Sequence, residues 1–273
     1  MLTLTRRLVP FILAGLLAVP FTGSVAAFTR AAPEPVSAAV LTQSGIDLVT
    51  LTNRQRVALG LVALRADPRL MAIAKARAEV MAANDVMSHT EPNGQKVFDR
   101  LDASGMTWYS AGEILAWNNY PTEPLSVGEA VYAWMHSPEH HDIMVSTGYN
   151  YVGFGAAVSA TGLRYYAGVF VKEPDHTAPV ARFGTISKHR VSAHRVLVTI
   201  RWSGADTRLQ VLTSGLRYFQ VQRRLIGGLW HSVTTTATHQ SVYWTVGRDY
   251  QVRIRARDRA GNWSAWKGVH VNL

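Results

Sequence analysis

Residues 151–171 read YVGFGAAVSATGLRYYAGVFV, and the fold of that stretch decides the architecture around it. YVGFGAAVSA (151–160) and LRYYAGVFV (163–171) are short, rich in β-forming residues, and separated by Thr161-Gly162. That pattern predicts a β-hairpin. The residues ahead of it read as helices. In DPRLMAIAKARAEVMAANDVMSH (67–89), Asp67 stands as an N-cap and Pro68 occupies the first helical position. Leu70, Ile73, Ala74, Arg77, Ala78 and Met81 follow at helical spacing, with His89 expected at the helix end. An earlier helix, IDLVTLTNRQRVALG (46–60), stops near Gly60. Helices with a small antiparallel sheet make an α+β domain.

The chain of 273 residues is long enough for one large or two modest domains. Its first 28 residues, MLTLTRRLVPFILAGLLAVPFTGSVAAF, set Arg6 and Arg7 before an apolar run from Leu8 to Phe21. Small residues Ser24 to Ala27 follow, in the order a signal peptidase accepts. The run is shorter than the roughly 20 residues a membrane-spanning helix needs. Residues 1–27 therefore read as a cleaved signal peptide of a secreted protein, with no transmembrane segment left after cleavage. TRAAPEPVSAAVLTQSG (29–45) lacks periodicity and reads as part of a flexible linker over 28–45. KEPDHTAPVARF (172–183) marks a second break, with a linker over 173–178. There is no cysteine, which excludes disulfides and a lipid-bearing cysteine.

Charge divides at the same places. Residues 1–46 carry +2, residues 47–175 carry 10 basic and 14 acidic side chains, and residues 176–273 carry 15 basic and 3 acidic. Beyond residue 178 the chain changes to short alternating runs, RVLVTIRW, RYFQVQRR, SVYWTV and DYQVRIRARD. They predict a β-sandwich over 179–273. In the last run Tyr250, Val252, Ile254 and Ala256 share one face, and Gln251, Arg253, Arg255 and Arg257 the other. This basic face is expected to bind anionic polymers of a cell wall or surface, or an anionic lipid surface. Nucleic acid would be attracted only without base-specific recognition.

AWMHSPEHHDIM (133–144) gathers three histidines, a glutamate and an aspartate. Pro138 cannot continue the helix LSVGEAVYAWM, which is expected to start at Ser126. Ser137 then caps a new helix beginning at Pro138, and His140 sits in its first turn, where the helix dipole favours neutral imidazole. His141 points about 100° away, and His136 reads as a surface or capping residue.

LTNRQRVALGLVALRADPRL (51–70), SHTEPNG (88–94), GEILA (112–116), AWMHSPEH (133–140) and YNYVGFGAAVSATGLRYYAGVF (149–170) occur in the order and spacing of the CAP superfamily. That superfamily groups sperm-coating-type, cysteine-rich secretory and pathogenesis-related proteins. The chain resembles its secreted bacterial branch over residues 46–172. The resemblance implies an α-β-α sandwich with a surface cleft of histidines and acidic residues, used by some members for a divalent metal and by others for lipids. Residue by residue, His89 matches the first cleft histidine, Glu113 the cleft glutamate, and His140 the histidine of an S-P-G-H motif. The pattern is trimmed: Ile114 and Glu139 replace the usual asparagine and glycine, and Arg164 and Ser137 stand where animal and plant members keep a second histidine and glutamate. The stretch YQVRIRARDRAGNWSAW (250–266) resembles a fibronectin type III-like or Ig-like module, with Tyr250 at the place of a corner tyrosine.

A CAP-type α-β-α sandwich followed by an all-β sandwich is thus expected. His89, Glu113 and His140 form its cleft, and a divalent metal, zinc first, is an expected though not required cofactor. A lipid or small-molecule ligand is the other expected occupant. A metal-assisted extracellular hydrolase is the alternative, but no H-E-x-x-H motif or nucleophile elbow is present. The residues favour a binding module over an enzyme.

Overall fold

The computed structural model describes residues 38–273, with side chains from Thr42 onward. The stretch read as a signal peptide and the first part of the stretch read as a linker lie outside the described residues. In chain order the first domain comprises α1 (Ala38–Ala58), β1 (Arg65–Ala66), α2 (Pro68–Asn84), α3 (Val97–Ala103) and β2 (Ser110–Asn118). It continues with α4 (Glu123–Met135), α5 (Pro138–Met144), β3 (Tyr151–Val158) and β4 (Arg164–Lys172).

β3 and β4 form the expected hairpin, paired from Tyr151↔Val171 to Val158↔Arg164. Gly162 turns it at φ 85°, a left-handed value that glycine adopts without steric cost. β2 adds antiparallel to β4 and the short β1 adds parallel to β3, giving the order β1-β3-β4-β2. Tyr151 and Ala157 face α2 in one apolar layer, while Val152, Phe154 and Ala156 face α1 and α4 in another. Both faces are covered, so the strands read as apolar runs rather than alternating ones. Contact with α2 is direct: a Cβ on Gly153 would lie 2.1 Å from Leu70 C, and one on Gly155 2.1 Å from Lys75 N.

Three boundaries differ from expectation. Helix α1 starts at Ala38, inside the stretch read as linker. Its Gly45 comes so close to β3 that a Cβ would lie 2.7 Å from the Phe154 carbonyl oxygen, and the buried Ser44 hydroxyl donates to Glu123 at 2.5 Å. Helix α4 starts at Glu123, not Ser126, because Pro124 fits a first turn. Ser126 is instead buried within the helix, hydrogen-bonded to Asn118 and Tyr166. Helix α2 ends at Asn84, so His89 lies in the following loop and does not end the helix. Asp85 adopts a left-handed conformation there (φ 52°), and its carboxylate accepts from Thr161 and Tyr165, which fixes the stop.

The second region holds β5 (Val180–Arg190), β6 (Arg195–Ala205), β7 (Leu216–Leu225), β8 (His231–Thr235), β9 (His239–Thr245), β10 (Asp249–Asp258) and β11 (Lys267–Asn272). They form two antiparallel sheets, β5-β6-β9 and β11-β10-β7-β8. Val198, Ile200 and Trp202 of one sheet share a core with Phe219, Val221, Val252 and Ile254 of the other. Tyr250 stacks on Trp244 at 4.3 Å and accepts the Thr245 N–H at 3.2 Å, closing the β9–β10 corner.

Candidate functional site

A buried guanidinium organises the residues expected to form the cleft. Arg77, on the inward face of α2, is fully buried. Its Nε donates to Glu113 Oε1 at 2.7 Å, one terminal nitrogen to Glu91 at 2.9 Å, and the other to the Ser88 carbonyl at 2.7 Å. Burial alone would lower the Arg77 pKa, but Glu113 and then Glu91 outweigh it and hold the pKa above the ordinary value. Arg100 of α3 grips Glu91 from the other side, at 2.5 and 2.8 Å. Hydrogen bonds and charge from Arg100, then Arg77, keep the Glu91 carboxylate below its usual range.

Glu113 projects from the edge strand β2 and is itself buried. Its Oε2 meets His89 Nδ1 at 2.7 Å, with the His89 side chain 56% exposed and that of Glu113 3% exposed. The pair therefore joins a buried carboxylate to a ring at the surface. A carboxylate accepts, so Nδ1 of neutral His89 carries the proton and Nε2 carries the lone pair. On α5, Ser137 occupies the N-cap position and Pro138 opens the helix, as expected. The Ser137 hydroxyl pairs with His140 Nδ1 at 2.9 Å instead of with a backbone N–H. Burial, and then the neighbouring charge of His89, depress the His140 pKa. His89 and Glu113 are thus in contact, and His140 lies within electrostatic reach of His89. A cavity of about 290 Å³ opens beside this network, where Val80, Met81 and Val86 meet Arg77, Ser88 and Glu91.

The donor set does not fit a metal bound by all three residues. Both Glu113 oxygens already serve Arg77 and His89, and a divalent ion on them would face the buried guanidinium. Among the described residues, two groups, neither of them the trio His89, Glu113 and His140, bring three ligand-type atoms within 4.8 Å of one another. One is Asp67, Glu173 and His176, which Arg69 already bridges. Hydrogen bonds that His176 donates to Asp67 and then to Glu173 raise its pKa to about 9, which holds the ring as a cation. The other is Asp175, Asp206 and Asp258, whose oxygens accept backbone N–H groups of Thr177, Ser214, Gly215, Gly261 and Asn262.

Of the other histidines and acids of 133–144, Glu139 acts on His140 through its charge, while His136, His141 and Asp142 make no contact with the cleft residues among the described residues. His136 stacks on Tyr132 at 3.9 Å and pairs with its carbonyl, while His141 lies 3.7 Å from the exposed Asp142. Arg164 pairs with Glu123 at 2.8 Å. In the sandwich, Arg253, Arg255 and Arg257 share a face, but as rungs of a ladder rather than a free ridge. Arg253 lies 4.4 Å from the Trp230 ring and 4.5 Å from Trp266. Arg255 lies 3.9 Å from Trp263 and 4.5 Å from Trp266, and Arg257 5.3 Å from Trp263. Gln222, Gln220 and the Gly261 carbonyl accept their Nε protons. Arg77 was legible only as a charged residue at a core position of α2; its partners Glu91 and Arg100 gave no periodic signal.

A sheet covered by helices on both faces, with a histidine–glutamate pair at its edge strand, is the arrangement that the CAP resemblance implies. Residues 49–171 match the model of CAP, the cysteine-rich secretory protein family, and the chain carries a CAP domain. Protein YkwD of Bacillus subtilis (strain 168) is 29% identical over 142 residues, 52% of this chain and 51% of that protein. Membrane protein YlbC of the same organism is 29% identical over 133 residues, 49% of this chain and 36% of that protein. The match thus spans about half of one relative and about a third of the other. An extracellular protein containing an SCP domain from Bacillus anthracis str. Ames aligns at 22% identity and TM-score 0.43, covering 51% of this chain and 45% of that one. An outer surface protein from Borrelia burgdorferi aligns at 21% identity and TM-score 0.45, covering 51% of this chain and 98% of that one.

Proposed function

We propose that the chain is a secreted binding protein whose CAP cleft takes a ligand through Nε2 of the exposed His89 and of the half-buried His140. The observation that carries this reading is the His89–Glu113 pair, a surface imidazole oriented by a buried carboxylate that Arg77 holds in place. Among the described residues Nε2 of each ring has no hydrogen-bond partner, while each Nδ1 is engaged. This arrangement suits a ligand with hydrogen-bonding or metal-coordinating character. A divalent ion held here would take the two histidines, with Glu113 orienting His89 rather than ligating. Carboxylates commonly serve metal-bound histidines in that way. Val80, Met81 and Val86 offer an adjoining cavity to an apolar moiety.

Export is supported by the signal-like first 27 residues and by the secretory family whose model residues 49–171 match. Among the described residues no helix is long and apolar enough to cross a membrane. The fibronectin type III-like character of the sandwich is supported by its three-strand and four-strand sheets and the Tyr250 corner. Its excess of 12 positive charges supports association with anionic surface polymers, which would meet the ladder arginines at their terminal nitrogens. The hydrolase reading draws on the same His89–Glu113 pair, which could act as an oriented general base.

Zinc titration by calorimetry tests the cleft. His89→Ala and His140→Ala should each abolish measurable binding, and Glu113→Gln should weaken it about 10–100-fold. Equal affinity in all four proteins removes the metal reading. Loss of all binding in Glu113→Gln makes Glu113 a ligand after all.

A further inference from the structure

The far end of the sandwich carries an apolar tip that neither the cleft nor the arginine ladder uses. Strands β7 and β8 last pair at Arg223↔His231, and the chain beyond forms a turn closed by Gly228 N–H to the Leu225 carbonyl at 2.9 Å. Gly227 takes φ 83°, which lets the turn be this tight. Every residue from Leu225 to Leu229 is exposed, with Leu225 at 40%, Ile226 at 46% and Leu229 at 88%. Hydrophobic side chains scattered singly over a surface are ordinary; three on one turn, with nothing polar between them but glycine, are a patch.

The tip is held rigidly and ringed by cations. Ile226 N–H donates to the Asp249 carbonyl at 2.9 Å, which ties the turn to the start of β10 and places exposed Arg248 beside it. Arg224 stacks on Trp230 at 4.4 Å, so an aromatic ring and a guanidinium form the collar directly below the apolar residues. Arg223 adds a third positive charge, pinned to Gln240 at 3.1 Å. Against these stands a single carboxylate, Asp249. The other two acids of residues 176–273, Asp206 and Asp258, gather with Asp175 at the opposite end of the sandwich, where Asn262 also binds the Asp175 carbonyl. Asp249 and Asp258 begin and end strand β10, a span of roughly 30 Å at about 3.4 Å per residue. The apolar tip and its cations therefore point away from the CAP domain.

We propose that the β7–β8 turn is a membrane-docking tip, inserting Leu225, Ile226 and Leu229 among the acyl chains of an anionic lipid surface while Arg223, Arg224 and Arg248 meet the headgroups. An apolar apex over a basic and aromatic collar matches the layering of such an interface: hydrocarbon, then anionic phosphates, then water. A soluble polyanion would engage the cations and leave the three apolar side chains in water. The proposal narrows the anionic-surface reading of the sandwich to a lipid surface and is independent of the cleft.

The test is sedimentation of the full mature chain with vesicles of phosphatidylglycerol and phosphatidylcholine in equal parts, or of phosphatidylcholine alone. Soluble polyglutamate serves as the lipid-free polyanion. The wild type is expected to bind the mixed vesicles and to bind pure phosphatidylcholine about tenfold more weakly or worse. Leu229→Ser should lower binding to the mixed vesicles about tenfold or more and leave binding to polyglutamate unchanged. Leu229 touches too little for this variant to perturb the fold, and an unchanged melting curve confirms that. Equal vesicle binding by Leu229→Ser and wild type overturns the tip and leaves only electrostatic adsorption. Failure of the wild type to bind mixed vesicles overturns it too, with polyglutamate binding then deciding whether the broader anionic reading survives. A dimer dissolved by Leu229→Ser, without lipid binding, assigns the tip to a second copy of the chain and also overturns the proposal.

Discussion

Replacing Arg77 by methionine removes the charge on which the Glu113, Glu91 and His89 network is built, at nearly constant volume. The side chain is fully buried and donates to Glu113, Glu91 and the Ser88 carbonyl. The loss falls unequally. Glu91 keeps both hydrogen bonds from Arg100, whereas Glu113 keeps only His89. The main consequence is therefore one uncompensated carboxylate, 7% exposed, at the edge of the sheet. Breaking a buried ion pair from one side costs about 3–5 kcal/mol, a large share of the roughly 5–15 kcal/mol that holds a typical domain. Glu113→Gln alone should cost less, about 1–3 kcal/mol, because Arg77 retains Glu91 and Ser88. In the double variant the stranded charge is gone, so the two losses should overlap by more than about 1 kcal/mol. Urea unfolding of the four proteins, followed by far-ultraviolet circular dichroism, measures this cycle. A loss below about 1 kcal/mol for Arg77→Met, or strict additivity in the double variant, refutes the view that Arg77 organises the cleft.

Two further outcomes rest on contacts elsewhere in the domain. Because Asp67 and Glu173 raise His176 to about 9, its contribution to stability is complete below the unfolded value near about 6.5. That contribution disappears as pH rises from there through about 9. Thermal melts of wild type should fall across that window, melts of His176→Gln should be flatter, and parallel curves would refute the bridge. Gly155→Ala would place a Cβ 2.1 Å from Lys75 N in the backbone of α2. It should cost more than the roughly 1–3 kcal/mol usual for overpacking, read as the shift in urea midpoint, and a neutral effect would show that α2 can withdraw from the sheet.

The hairpin, the N-cap of α2 and the break at Pro138 were legible because each rests on local chemistry. Thr161-Gly162 supplies a left-handed turn, Asp67 accepts the Arg69 N–H at 2.7 Å, and proline cannot continue a helix. The faces of β10 followed from alternation, with Val252, Ile254 and Ala256 buried as expected. What escaped depends on distant partners. β1 is two residues long and exists because Arg65 and Ala66 align with Tyr151 and Val152. The stop of α2 comes from Asp85 meeting the hairpin residues Thr161 and Tyr165. The basic face of β10 was visible, but its tryptophans come from Trp230, Trp263 and Trp266, outside the strand, so nothing in the alternation showed the arginines stacked.

The least legible feature is the seam between the two domains. Prolines and polar residues over 173–178 have the composition of a linker, yet Glu173 is 2% exposed and Asp175 7%. Asn150 closes on Glu173 through its amide and carbonyl, at 2.8 and 3.0 Å, and Asp175 accepts the Ser214 N–H at 2.9 Å. From the sandwich side, Leu209 is buried in the CAP core, and Gln210 accepts from the Val62 N–H at 2.8 Å and from buried Arg56 at 3.4 Å. Among the described residues Arg56 otherwise finds only carbonyl oxygens, of Val62, Met144 and Ser146, and burial lowers its pKa to about 10. A buried cation without a carboxylate depends on every one of these acceptors, so Gln210 completes a structural element of the CAP domain from outside it. Composition marked the break because it records which residues avoid regular structure; it cannot record that their backbone groups are satisfied by side chains from elsewhere in the chain. The cleft and the basic sandwich are consequently joined by a hydrogen-bonded seam rather than by a loose tether.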